Sequence, residues 1–149
     1  MKIAVACDHG GLNLKKEIIK HLNSKGIEVV DFGTHTYDSC DYPDYALLAA
    51  EAVASGECEK GIVVCTTGIG VCIVANKVPG VRCAYCLDTN CAQLTRAHNN
   101  SNMLALGEKV INTSCAFAIV DMFLKTEFEG GRHAVRVDKI TAIEKKYSK

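Results

Sequence analysis

The sequence has 149 residues, 48% of them apolar and 23% charged, and its 17 basic and 17 acidic side chains leave a formal charge of zero. These values fit one globular domain over 1–149 with a real core, and the lack of any basic run argues against a nucleic-acid surface or a membrane-surface helix. The chain opens on a strand-like MKIAVAC in place of a signal peptide, and no apolar stretch approaches membrane-spanning length, so a cytoplasmic protein is expected.

In chain order, strands and helices alternate without linker or repeat. Lys2 to Cys7 reads as an apolar strand and Asp8 to Gly11 as a turn. Leu14, Ile18 and Leu22 give helical spacing over Leu12 to Leu22, which Gly26 ends. Ile27 to Phe32 is the second strand, Thr34 to Pro43 a longer loop, and Asp44 to Ser55 an alanine-rich helix closed by Gly56. After the third strand, described below, come a fourth over Val81 to Cys86 and a helix capped by Asp88 and running to about Ala97. A short fifth strand over Met103 to Leu106 precedes a helix over Cys115 to Leu124. A final helix from His133 to Tyr147 carries Val137, Ile140, Ile143 and Tyr147 on one side.

Alternation of this kind predicts an α/β fold of three layers, Rossmann-like, with a five-stranded parallel sheet flanked by helices and an extended C-terminal helix. Ligands in such folds bind at the carboxyl ends of the strands. A strand order of 2-1-3-4-5 would make strands one and three neighbours, with Asp8, His9 and Cys65 in one pocket at the switch point.

The third strand is the centre of the reading. In KGIVVCTTGIGVCIVANK, residues 60–77, the β-branched run Ile62 to Val64 lacks polar alternation, as in a strand buried on both faces. Cys65 to Gly70 then form a glycine-bearing turn, and Val71 to Lys77 can follow as a helix. Turn amides and first-turn amides converge on one concavity that suits an oxyanion or phosphate, with a thiol at the junction. The plainer alternative is a small buried Cys65 with glycines that only permit the turn. A third glycine of the dinucleotide fingerprint would fall at Ile73, and no nucleotide P-loop is spelled.

The nine cysteines, scattered and odd in number, do not form a disulfide framework, and the CxxC of Cys83 and Cys86 has no second pair at zinc-ribbon spacing. No metal is expected, and most of the thiols read as core filler, with only Cys65 on a turn built for chemistry. His98 stands at a helix end, where histidine often serves only as a cap. Arg132 and Arg136 lie four apart at a helix start, on one face, and suit an anion held between them. His133, on the same turn, points elsewhere and reads as surface.

The segments CDHGG (7–11), DYPDYA (41–46), TGIG with ANKVPGVR (67–82), RAHNNSN (96–102) and EGGRHAVRV (129–137) together resemble ribose-5-phosphate isomerase type B. That family also includes the galactose-6-phosphate isomerase subunits. The resemblance spans essentially the whole chain in one register. It implies that Cys65 moves a proton between C1 and C2 of the sugar, that turn amides from Thr66 through Thr67, Gly68 and Ile69 to Gly70 hold the enediolate oxygens, and that Thr67 shuttles hydroxyl protons. His98 would open the furanose ring with Asp8 assisting and Asn99 orienting the sugar, while His9, Arg132 and Arg136 would hold the phosphate.

The resemblance further implies no cofactor, a small sugar phosphate as ligand, and a homodimer with shared active sites, or a dimer of dimers. The sequence departs from the family's usual pattern at Thr66, where glycine is common, and at Lys109, where an arginine often joins the phosphate site. Both halves of the machinery lie on this one chain, which favours a homomeric pentose-phosphate enzyme. A six-carbon substrate, allose 6-phosphate or galactose 6-phosphate, stays open because the distance from Cys65 to the arginines is not in the sequence. A non-catalytic sugar-phosphate-binding protein would have lost a catalytic group, and Cys65, Thr67 and His98 are all present.

Overall fold

The structure, a computed structural model, describes residues 1–149. Five parallel strands, β1 (Lys2–Cys7), β2 (Glu28–Asp31), β3 (Lys60–Cys65), β4 (Cys83–Tyr85) and β5 (Met103–Gly107), form one sheet. Six helices accompany them: α1 (Leu12–Ser24), α2 (Tyr42–Ala54), α3 (Ile69–Ala75), α4 (Thr89–Asn99), α5 (Thr113–Lys125) and α6 (Arg132–Tyr147). No helix is long and apolar enough to cross a membrane.

Side-chain alternation along the strands divides the core in two. Ile3, Val5 and Cys7, with Ile62, Val64, Leu104 and Leu106, meet Leu14, Ile18 and Leu22 of α1 and Ile119, Val120 and Phe123 of α5. Ala4, Ala6, Val63, Met103 and Ala105 face the other way, onto Ala46, Ala49, Ala50 and Val53 of α2 and Val71 and Ala75 of α3. The second layer is built from small residues, so α2 and α3 lie close against the sheet. Cys65 ends β3 on this side and is only 5% exposed.

The strand order is β2-β1-β3-β5-β4, not 2-1-3-4-5. Strands β1 and β3 are neighbours as expected, but β5 lies beside β3 and β4 is the edge. Burial gives the reason. Every residue of β5 is buried, as a strand between two others requires, whereas β4 is three residues long and half-buried throughout. The exchange matters for the site, because the β3–β5 register sets Cys65 opposite Gly107.

Three helices, α2, α3 and α5, start two residues earlier than their sequences suggest. α2 begins at Tyr42, since Pro43 occupies its first turn, where a missing N–H is no loss. α3 begins at Ile69, directly after Gly68, whose left-handed backbone (φ 84°) turns the strand into the helix without a spacer.

Candidate active site

The carboxyl ends of β1 and β3 open into a cleft of about 440 Å³ lined by Asp8, Tyr42, Cys65, Thr66, Thr67, Ile69, Gly70 and Ile73. Asp8, 7% exposed, leaves β1 and uses a carboxylate oxygen to accept from Gly10 N at 2.9 Å, while its own amide donates to Val64 O at 3.3 Å. The carboxylate is thereby fixed beside the end of β3.

The turn after β3 is wound around the sulfur. Gly68 N donates to Cys65 Sγ at 3.1 Å, Ile69 N donates to Thr67 Oγ1 at 3.2 Å, and that hydroxyl lies 4.0 Å from the sulfur. From the far side, Glu108 N donates to Cys65 O at 2.9 Å and Lys109 N to Thr66 O at 3.0 Å, so the segment after β5 clamps the turn. A side chain at Gly107 would lie 2.3 Å from Thr67 O, which is why the residue opposite Cys65 has none.

Gly68 is more constrained still. A Cβ there would lie 2.6 Å from the Tyr85 ring and 2.8 Å from the Leu106 carbonyl carbon, on top of the positive φ. Gly68→Ala is therefore expected to lose roughly 2–5 kcal/mol, combining left-handed strain with overpacking. Urea unfolding checks this as a lower midpoint at unchanged slope.

His9 does not line the cleft. Its Nδ1 accepts from Cys40 N at 3.2 Å, which pins the loop before α2 near the cleft's rim. Asp8 and Cys65 thus share one pocket as expected, while His9 stands outside its lining.

His98, Asn99, Arg132 and Arg136 lie elsewhere. α4 starts after the carboxyl end of β4 and runs back along the sheet. Its end is held beside the start of β4, where Arg82 donates from Nε to Asn99 O and from Nη2 to Asn100 O, each at 2.9 Å. His98 is therefore at the amino edge of the sheet and Cys65 at the carboxyl edge. A six-residue strand such as β3 separates those edges by about 15–20 Å.

The residues around His98 form a second constellation. The loop before α6 is tied to α4 by Glu129 N donating to Ala97 O at 3.0 Å. The His98 and His133 rings stack with centroids 4.1 Å apart and planes 9° from parallel. Glu129 Oε2 lies 3.4 Å from His133 Nε2 and 4.0 Å from His98 Nε2. Arg132 and Arg136 are exposed on the adjacent face of α6.

His133 is buried at 7% exposure, which corrects its reading as a surface residue. Helical geometry does rotate it away from the two arginines, but it turns toward α4 instead of solvent. Packing lowers its pKa, and the nearby His98 and Arg132 charges push the same way. Sequence reasoning also missed Tyr42 as a cleft wall; the signal lay in DYPDYA, whose proline opens the helix that carries the ring.

Among the other thiols, burial pushes Cys7 up to about 12 and also raises Cys58 and Cys86, in keeping with core filler. Cys72 differs: hydrogen bonding from Cys83, and then from Asn76 Nδ2, brings it down to about 7. It sits on α3 outside the cleft lining.

The profile of a family described as Ribose/Galactose Isomerase matches residues 3–140. The chain is 49% identical over 145 residues to ribose-5-phosphate isomerase B of Escherichia coli, covering 97% of each protein. Its structure is similar to that of Clostridium thermocellum ribose-5-phosphate isomerase B, with a TM-score of 0.98 and 58% identity over 99% of this chain and 100% of that one. It is also similar to the Mycoplasma genitalium ribose-5-phosphate isomerase B structure with bound ribulose-5-phosphate, with a TM-score of 0.93 and 46% identity over 97% and 96% of the two chains.

Proposed function

The chain belongs to the ribose/galactose isomerase family, and from that premise we propose that it interconverts D-ribose 5-phosphate and D-ribulose 5-phosphate through an enediolate. The observation that carries the reading is the Cys65 turn, which aims backbone amides and a hydroxyl at the same small volume as a thiol and a carboxylate. Aldose–ketose isomerisation needs a base beside C1 and C2 and preorganised donors for the oxyanion that develops. A remote phosphate anchor then orients the reacting carbons.

In this reading Cys65 removes the C2 proton of the open-chain aldose and returns it to C1. The amides of the Thr66–Gly70 turn hold the enediolate oxygens, and Thr67 passes the hydroxyl proton between O1 and O2. His98, assisted by Asp8, donates the proton that opens the ring, and Asn99 orients the sugar. Arg132, Arg136, His9 and Lys109 hold the phosphate.

A chain whose Cys65 and His98 occupy opposite edges of its own sheet completes this site only with a second copy. A homodimer meets the requirement, each site taking Cys65 from one protomer and His98 with the arginines from its partner. The surface is suited to it. α6 exposes Val135, Ile140, Ile143 and Tyr147 at 57%, 45%, 60% and 78%, and Ile69, Ile73 and Tyr42 stand exposed at the cleft mouth. Such apolar faces ask for cover. The same proposal places the protein in the cytoplasm and in the pentose phosphate pathway.

A coupled assay of ribose 5-phosphate conversion tests the activity. Saturable binding without turnover would instead make the chain a sugar-phosphate-binding protein. Turnover of allose 6-phosphate in preference to the pentose would lengthen the substrate but keep the chemistry.

The phosphate anchor gives a separate prediction. Arg136→Ala removes charge-assisted bonds worth about 1.5–3 kcal/mol, so kcat/KM for ribose 5-phosphate should fall roughly tenfold to a hundredfold. An unphosphorylated pentose, which never uses the anchor, should lose little. An equal proportional loss on both substrates would make Arg136 a structural residue.

A further inference from the structure

Two histidines of the fold lie face to face with another ring, and they are held differently. His21 stacks on Phe117 with centroids 4.2 Å apart and planes 7° from parallel, and its Nε2 also meets Asp121 Oδ1 at 2.8 Å. The His98 side chain makes no hydrogen bond: it is 38% exposed, and its nearest carboxylate oxygen, on Glu129, is 4.0 Å away, too far to bond. What lies against it is the face of His133.

The χ2 torsion of a histidine has no sharp preferred angle, so an unbonded ring is fixed only by what covers it. His133 is well placed to do so. With Val137 one turn on, it supplies the buried positions of α6, and these seat the helix against α4. Gly130 and Gly131 take left-handed backbone (φ 69° and 55°) to bring the chain round to that start, and His133 N donates to Gly130 O at 3.0 Å. Burial, with the charges of His98, Arg132 and Arg136 outweighing the opposing carboxylate of Glu129, lowers the pKa of His133 and favours its neutral form. A neutral face tolerates the His98 ring both with and without its extra proton, so the stack survives a cycle of proton transfer.

We propose that His133 is a positioning residue for ring opening: its stack fixes the plane of the His98 ring, and with it the direction in which His98 delivers a proton. In the step it serves, that proton goes to the ring oxygen of the sugar, the bond from this oxygen to C1 breaks, and the C1 hydroxyl releases its own proton to the Asp8 carboxylate, leaving the open aldehyde. His133 itself touches no substrate. The inference rests on the isomerase reading above.

The experiment compares His133→Phe with His133→Leu, and His133→Met serves as a second filler without a ring. All three fill the buried space with an apolar group, but only phenylalanine offers a flat face, as Phe117 does to His21. Urea midpoints verify that each variant folds. In the ribose 5-phosphate assay, kcat/KM of the phenylalanine variant should stay within about threefold of wild type, whereas leucine and methionine should cost roughly tenfold to a hundredfold, the scale of a catalytic group held out of line. The His98 ring protons report the stack directly. Their upfield ring-current shift in the NMR spectrum should persist with phenylalanine and vanish with leucine and methionine. A folded leucine or methionine variant as active as wild type overturns the role, and so does a phenylalanine variant as impaired as leucine. A wild type without turnover would instead overturn the isomerase reading, whereas turnover indifferent to the ring at 133 overturns this inference alone.

Discussion

Cys65→Ala is expected to lower kcat/KM for ribose 5-phosphate by about 10²–10⁴-fold, the range typical for removing a positioned general base, while the sugar phosphate still binds. On the turn the sulfur meets only the Gly68 amide and, 4.0 Å away, the Thr67 hydroxyl, and Gly68 is held in place by Tyr85, Leu106 and Gly107 around it. The backbone clamp from Glu108 and Lys109 reaches carbonyl oxygens, which the substitution leaves alone. The arginines lie at the other edge of the sheet. Turnover and calorimetric affinity, measured on the same preparation, should therefore part company. Near-normal turnover would mean that another group takes the C2 proton, and joint loss of turnover and binding would mean that the cleft itself had collapsed.

The second large effect is a gain. Cys65→Ala chains and His98→Asn chains should each be inactive with cyclic substrate. Mixed under conditions that exchange subunits, they should recover up to about a quarter of wild-type activity per chain. About half of randomly paired dimers are mixed, and each mixed dimer has one site with both groups and one with neither. The geometry behind this is the strand-length separation between Cys65 and His98 within a chain. Native mass spectrometry verifies the exchange. If mixed dimers are present and activity stays at background, the two groups do not meet across an interface.

Much of the fold is legible in the residues because burial on both faces of a parallel sheet leaves a plain signature. The runs IAVAC and GIVVC can hardly be anything else, and Gly26, Gly56 and Asp88 punctuate the helices where local chemistry requires. The order of the last two strands was less accessible, since nearest-neighbour continuation is the simpler expectation. The clue was one of composition: MLALG is apolar on both faces, whereas RCAYC carries an arginine and a tyrosine suited to an edge.

The Cys65 half of the site was equally legible, because a thiol on a glycine turn declares itself in a few adjacent residues. The His133 half was not. A helical wheel states correctly that His133 and Arg132 diverge, but it has no knowledge of α4, and the stack on His98 joins residues 35 positions apart in sequence. Such contacts are set by how two helices pack, which periodicity does not encode.

The placement of Cys65 and His98 at opposite edges of one sheet also bears on inheritance. Under the shared-site reading, a chain carrying both Cys65→Ala and His98→Asn spoils a normal partner twice over: its missing thiol disables one site and its missing imidazole the other. In a cell making equal amounts of normal and doubly defective chains, only about a quarter of the dimers would work. The defective copy would act as a dominant poison, removing half the output of the intact gene as well as contributing none of its own.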